Sequence, residues 1–329
     1  MGWEFYLDFI KIFDYFSTLN NIIGDNMNNA LRIILIIVGV FVGISFLVVG
    51  IGLFAFADAI SIKGENGEES TVSGARVAIV EIKDVITSSE DIVRQLKKYQ
   101  KNKNVKSIVV RVNSPGGSVA PSQEIYKMIK NIHNSGKPIV VSMADLAASG
   151  GYYISIGATK IFANPGTLTG SIGVIAQFPD YMGLMEKVGL NMTTYKSGNL
   201  KDAGSPYRKS SEADQKYFQA LVDNAYSQFV NAVAFERKME MGEVKEFADG
   251  RVFTGMQAYD FGLVDTLGGL EDAINYAAIL GGIEGEPKIV RERKKQTLME
   301  MLNSKIENPL NKAYDMFNSP SLQYKLSFD

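Results

Sequence analysis

Residues 105–151 read VKSIVVRVNSPGGSVAPSQEIYKMIKNIHNSGKPIVVSMADLAASGG, and the fold follows from how this stretch divides. Val105 to Val112 is a near-continuous β-branched run, stopped by the turn residues Asn113-Ser114-Pro115-Gly116-Gly117. Gln123 to His133 follows as a helix and ends at Asn134-Ser135-Gly136. Lys137-Pro138 leads into Ile139 to Met143, a second apolar strand. After Ala147-Ala148-Ser149-Gly150-Gly151 another helical stretch runs through Ile156. Strand, helix, strand, helix in short succession is the pattern of crossover connections between parallel strands.

The same alternation continues outward. Upstream, Arg76 to Ile82 (RVAIVEI) reads as a strand. Ser89 to Gln100 reads as a helix with Ile92, Val93, Leu96 and Tyr99 on one face and Ser89 as its N-cap. Downstream, Lys160 to Ala163 is a further short strand. Ser211 to Met241 is a long, interrupted helical region whose apolar stripe comprises Phe218, Leu221, Val222, Ala225, Phe229, Ala232 and Val233. Strands that are apolar throughout belong in a mainly parallel sheet covered on both faces. The expected fold class is therefore α/β over residues 76–285. The SPGG and ASGG motifs each occur once, so there is no internal repeat.

The flanks have a different character. From Ile33 to Ala57 the chain reads IILIIVGVFVGISFLVVGIGLFAFA, 25 residues without a charge. A helix of that length crosses a hydrocarbon core of roughly 30 Å, which predicts a transmembrane anchor at 31–57. The run is too long for the apolar part of a cleaved signal, and some thirty residues with Glu4, Asp8 and Asp14 precede it, so the anchor is expected to be retained. In residues 1–30, Trp3, Tyr6, Ile10 and Phe13 recur at helical spacing opposite Glu4, Asp8 and Lys11, the pattern of an interfacial amphipathic helix. Residues 58–75 are Gly/Ser/Glu-rich and read as a linker. Residues 286–329 read as a C-terminal tail that packs on a partner or stays mobile. Lysine and arginine counts do not set the orientation of the anchor.

Composition removes whole classes of chemistry. The chain of 329 residues has no cysteine and a single histidine, His133. Disulfides, thiol catalysis and thiolate metal sites are excluded, and no spaced carboxylate set points to a metal or other cofactor. The net charge of −2 gives no basic face for nucleic acid.

What remains is hydroxyl chemistry. Ser149 follows a strand and opens a helix, where unsatisfied N–H groups and the positive end of the dipole can hold an oxyanion. The Gly150 amide is placed in sequence to donate to it. The Asn113-Ser-Pro-Gly-Gly117 turn, with Gly116 and Gly117, occupies an equivalent strand-to-helix position and offers further backbone donors. A serine nucleophile needs a base. His133 sits at a helix end before Asn134-Ser135-Gly136, a capping or solvated place, so a lysine is the natural alternative. Lys196 and Lys201, in TYKSGNLKDAGSP at 194–206, are both candidates, and the residues alone do not choose between them.

Taken together, VNSPGGSV at 112–119, DLAASGGYYIS at 145–155, NPGTLTGSIGV at 164–174, TYKSGNLKDAGSP at 194–206 and DGRVFTGMQAYDFGLVDTLGG at 249–269 resemble the signal peptide peptidase A family in its short, single-repeat form. The resemblance implies a ClpP/crotonase-like α/β spiral and a Ser/Lys serine endopeptidase. By the same likeness Ser149 is the nucleophile, Lys201 the base, and Ser171 a serine that orients the lysine amine. Gly117 or Gly116, together with Gly150, would supply the oxyanion donors. It further implies a ring of identical subunits in which neighbours share active sites, a catalytic domain outside the cytoplasm, and apolar peptide substrates such as remnant signal peptides. The tail is expected to enter an active site and be trimmed there. A stomatin-associated membrane protease, a crotonase-like acyl-CoA enzyme and a catalytically inactive membrane scaffold are the rival readings.

Overall fold

The computed structural model describes residues 37–39, 41–45, 50, 74–292 and 323–325. The chain divides into two units, Met1–Val72 and Ser73–Asp329. In the first, 37–39 and 41–45 are helical. Among the described residues no helix is long and apolar enough to cross a membrane. The rest of the expected anchor at 31–57, the segment 1–30 and the linker up to 73 lie outside the described residues.

The second unit begins with β1 (Arg76–Lys83), α1 (Glu90–Lys101), β2 (Val105–Ser114), β3 (Gly116–Ser118) and α2 (Val119–Asn134). β4 (Ile139–Ala148), α3 (Gly150–Ser155), β5 (Lys160–Ala163), β6 (Leu168–Gly170) and α4 (Met182–Lys187) follow. Then come α5 (Glu212–Arg237), α6 (Met241–Phe247), β7 (Val252–Thr254), α7 (Gly255–Asp260), β8 (Thr266–Leu267), α8 (Leu270–Leu280), β9 (Lys288–Arg291) and β10 (Gln323–Lys325). The fold is α/β with a mainly parallel sheet ordered β7-β6-β4-β2-β1-β9, and β5 branches from β4 to carry β8. Only β7 runs antiparallel within this sheet, against β6.

Successive strand residues face opposite sides, which explains why the strands are apolar throughout. Ala78, Val80 and Ile82 of β1 pack with Leu96 of α1 and Ile125 and Ile129 of α2. The alternate residues Val77 and Ile79 pack with Ala273, Ile274 and Ala277 of α8 on the other face. Each fully buried aliphatic side chain contributes about 1.5–3 kcal/mol relative to leaving it in water.

β4 is longer than the predicted Ile139–Met143 because it forks. Its first half, Val140–Ser142, pairs with β5, and its last residues, Leu146–Ala148, pair with β6. The fork carries the strand straight to Ser149 and sets Gly170 beside it.

Two expectations are refined. The expected interruption in the long helical region falls late, at 238–240, between α5 (Glu212–Arg237) and α6 (Met241–Phe247). α5 holds no glycine or proline, a capping box of Ser211 and Asp214 starts it, and Lys238 in a left-handed conformation ends it. Residues read as a tail also contribute two strands. Lys288–Arg291 extends the main sheet in parallel on β1, and Gln323–Lys325 pairs antiparallel with Gly116–Ser118. Edge strands of a parallel sheet leave ladder groups open, and the short KIVR run satisfies those of β1.

Candidate active site

Ser149 stands at the turn from β4 into α3, with φ +52° and ψ −113°. That region is strained for a residue with a side chain, and strain of this kind persists only where the surroundings over-determine it. Here the Ser149 N–H donates to the Gly170 carbonyl at 2.8 Å and the Ser149 carbonyl accepts from the Tyr153 N–H at 2.8 Å. Ser171, one residue beyond Gly170, has the same φ of +52°, and its N–H donates to the Arg251 carbonyl at 2.8 Å. Both serines are buried. The β4 fork thus brings Ser149 and Ser171 together across one backbone hydrogen bond.

The SPGG turn lies against this corner. Gly116 has φ +99°, and a methyl in place of its hydrogen would lie 2.0 Å from the Tyr324 carbonyl oxygen and 2.6 Å from Gly150 N. Gly150 is hemmed in likewise, with Ser122 Oγ 2.8 Å and Gly117 N 3.2 Å from the place a Cβ would take. Side chains here would push apart the two amide-bearing turns. Ser114 Oγ, itself donating to the Asp84 carbonyl, accepts the Gly116 N–H at 3.1 Å. The Gly116 carbonyl accepts from the Ile86 N–H, and the Ser118 N–H donates to the Ile86 carbonyl, each at 2.8 Å. By strand alternation the Gly117 N–H and carbonyl are left on the opposite edge, which is the edge β10 occupies. Of the two turn glycines, Gly117 therefore has the amide facing the groove, while that of Gly116 is committed.

β10 fills this groove as an extended peptide would. Tyr324 pairs with Gly117 on one side, and Gln323 exchanges two backbone hydrogen bonds of 3.1 Å with Ile175 on the other. The Tyr324 side chain is fully buried. Its ring stacks on Tyr153 at 5.2 Å and packs on Phe229 at 4.7 Å, and its hydroxyl donates to the Ala225 carbonyl at 3.2 Å. Burial pushes that hydroxyl's pKa up, which keeps it a donor. The composition of this pocket was not legible in the sequence. Phe229 and Ala225 belonged to an apolar helical stripe, and nothing in the stripe distinguishes a core residue from a pocket wall.

The lysines lie elsewhere. Lys196 and Lys201 sit in an exposed arm spanning 175–211. Lys196 Nζ donates to the Asn199 carbonyl at 3.1 Å and to Asp202 Oδ1 at 2.7 Å. Lys201 is exposed, and no hydrogen bond joins its amine to Ser149 or Ser171 among the described residues. Nearby, Arg208 Nε and Nη2 grip the Asp202 carboxylate at 3.0 and 2.9 Å, while Nη1 and Nη2 grip Asp214 at 2.5 and 3.1 Å. Arg208, then Lys196, pulls the Asp202 pKa down to about 2, and Arg208 holds that of Asp214 lower still. His133 is bonded through Nδ1 to Thr159 Oγ1 at 2.9 Å. The Thr159 N–H binds the carbonyl of Ile139, the first residue of β4. Ser149 follows the last residue of that ten-residue strand, roughly 30 Å away at about 3.3 Å per residue. His133 is not Ser149's base. Among the described residues no group of three or more His, Asp or Glu is placed to hold a metal ion.

Comparison with known proteins shows what the chain is similar to. The profile of peptidase family S49 matches residues 131–284, and that of Clp protease matches 68–168. The chain is 50% identical over 186 residues to "Putative signal peptide peptidase SppA" of Enterococcus faecium, covering 56% of this chain and 54% of the relative. It is 43% identical over 216 residues to "Putative protease slr0021" of Synechocystis sp., covering 65% of this chain and 77% of the relative. It is 33% identical over 211 residues to "Protease 4" of Haemophilus influenzae, covering 61% of this chain and 34% of the relative. The match thus spans about half the length of the Enterococcus relative and a third of the Haemophilus one.

Proposed function

The chain belongs to peptidase family S49, and from that premise we propose that it is a membrane-anchored serine endopeptidase with Ser149 as nucleophile and Lys201 as general base. The observation that carries this reading is the groove. An extended segment lies antiparallel to Gly116–Ser118, with the Tyr324 carbonyl oxygen crowded against Gly116 and Gly150 N beside Ser149. β10 stands in for a substrate strand, and its carbonyl marks where a scissile bond would sit.

In the proposed reaction Ser149 Oγ attacks the substrate carbonyl carbon as its proton passes to Lys201 Nζ. The Gly117 and Gly150 amides hold the oxyanion, the part for which the Gly116 amide is not free. Lys201 returns the proton to the leaving amine, and water then hydrolyses the acyl-enzyme by the reverse sequence. Ser171, at the same corner, helps to orient the lysine amine.

Lys201 is exposed and, among the described residues, makes no hydrogen bond to Ser149 or Ser171, and this favours assembly. Lys201 lies on an arm that exposes Leu184, Val188, Leu190, Met192 and Tyr195. An apolar surface of that kind beside an unpartnered lysine fits a homo-oligomeric ring in which each arm supplies Lys201 to the neighbour's Ser149. The ClpP/crotonase-like spiral, which the Clp protease match supports, suits such rings. The uncharged run at 33–57 supports a single-pass anchor in membrane lipid, with the catalytic unit outside the cytoplasm and apolar peptides such as remnant signal peptides as substrates.

A fluorophosphonate probe on the full-length protein in detergent tests the nucleophile. Labelling is expected at Ser149 and is expected to vanish in Ser149→Ala. An assembled wild type that takes no label would favour the inactive scaffold.

A further inference from the structure

Lys201 is followed directly by a carboxylate, Asp202, and a base that must lose its proton is poorly served by such a neighbour. A free carboxylate within about 4–6 Å favours the ammonium form and shifts its titration by about one unit or more. The structure shows this carboxylate already engaged. Asp202 takes Lys196 on Oδ1, and its two oxygens accept Nη2 and Nε of Arg208. The same guanidinium continues to Asp214, a buried residue in the first turn of α5 that also accepts the Ser211 N–H at 2.9 Å. Arg208 Nη2 binds the Asp202 backbone carbonyl as well, at 3.1 Å. These are the charged groups facing Asp202: Lys196 and Arg208 from the arm, and Asp214 from α5 beyond Arg208.

The backbone beneath is fixed to the same helix. The turn is closed by bonds of 3.1 Å from the Lys201 N–H to the Gly198 carbonyl and from the Ser205 N–H to the Asp202 carbonyl. The Tyr181 N–H holds the Pro206 carbonyl at 2.7 Å. Gly204, at φ +78°, lies against Phe178, whose ring packs on Phe218 of α5 at 4.2 Å. The arm is exposed, yet the segment that presents Lys201 is bolted to a 26-residue helix.

We propose that Arg208 is a positioning residue for the reaction: by bridging Asp202 to Asp214 it withholds the Asp202 carboxylate from Lys201 and fixes the turn that presents the amine. The proposal rests on Lys201 being the base. The depressed Asp202 titration accords with a carboxylate held charged by its two cationic partners. Only a planar fork meets two carboxylates and a carbonyl at once, so lysine at 208 would keep the charge and lose the geometry.

The test is the pH–rate profile of kcat on an apolar fluorogenic peptide, using the full-length protein. Arg208→Met is expected to lower kcat about tenfold or more with KM within about twofold, and to move the acid limb up by about one pH unit. Arg208→Lys should return the acid limb towards wild type while kcat stays low. Asp202→Asn leaves the Arg208 and Lys196 cations less compensated beside Lys201, and its acid limb is expected to move down. This variant decides the matter should Arg208→Met fail to assemble. Acid limbs that stay at the wild-type position in both variants, with Lys201→Ala inactive, would overturn this proposal alone. Wild-type activity in Lys201→Ala would overturn it together with the reading beneath it.

Discussion

Ser149 and Ser171 share a φ of +52° that neither adopts without cost. Their strain of about 1–3 kcal/mol each is offset by the sheet fork that fixes Ala148 against Gly170. Around them the glycines act by their lack of side chains. Gly116→Ala is expected to reduce kcat/KM by at least about a hundredfold, comparable to losing an oxyanion donor. The methyl would occupy the space of the bound carbonyl oxygen and of Gly150 N. Peptidase kinetics beside a thermal melt checks this, and activity within about threefold of wild type would show that the turn is not where the carbonyl binds. Much of this corner was legible, since SPGG and ASGG stand out as turns next to strands, while Ser171 came only from the family resemblance. The choice between Gly116 and Gly117 was not. It depends on Ser114 Oγ capturing one amide, a side-chain contact two residues away, and on Ile86, some thirty residues upstream, fixing which edge of the turn faces the groove.

β1, β2, β4 and β5 announced themselves because parallel strands buried on both faces are near-continuously apolar. α1 and α5 did so through their stripes. Sequence patterning missed α8 (Leu270–Leu280), which covers one face of the sheet, and elements too short to carry a period, above all β9 and β10. Three residues such as Gln323-Tyr324-Lys325 have no readable pattern, and their strand character comes entirely from the groove they enter. The tail was expected to enter an active site, and its residues Gln323–Lys325 pair with Gly116–Ser118. Because β10 fills the groove, ending the chain after Glu292 is expected to speed fluorophosphonate labelling of Ser149 and to lower KM for added peptides. Equal labelling rates for truncated and full-length protein would mean that the tail leaves the groove freely in solution. Tyr324→Ala, which empties the pocket of Tyr153 and Phe229, is expected to act in the same direction with a smaller effect.

At the scale of the molecule the proposed catalytic parts fall into two sets that no hydrogen bond joins among the described residues. Ser149, Ser171 and the amides of Gly117 and Gly150 form a corner at the end of the sheet, while Lys201 stands on an arm bolted to α5 by Arg208. The residues alone offered both sets as candidates, and only the family resemblance implied that neighbouring subunits would share them. In the proposed ring a second copy joins them. The central claim is a Ser149/Lys201 dyad, and the most direct measurement is cleavage of an apolar fluorogenic peptide by full-length wild type, Ser149→Ala and Lys201→Ala. Each would be shown by sedimentation to assemble alike. The account predicts cleavage by wild type and a fall of at least about a thousandfold in both variants. Cleavage by Lys201→Ala at more than about a tenth of the wild-type rate would contradict it.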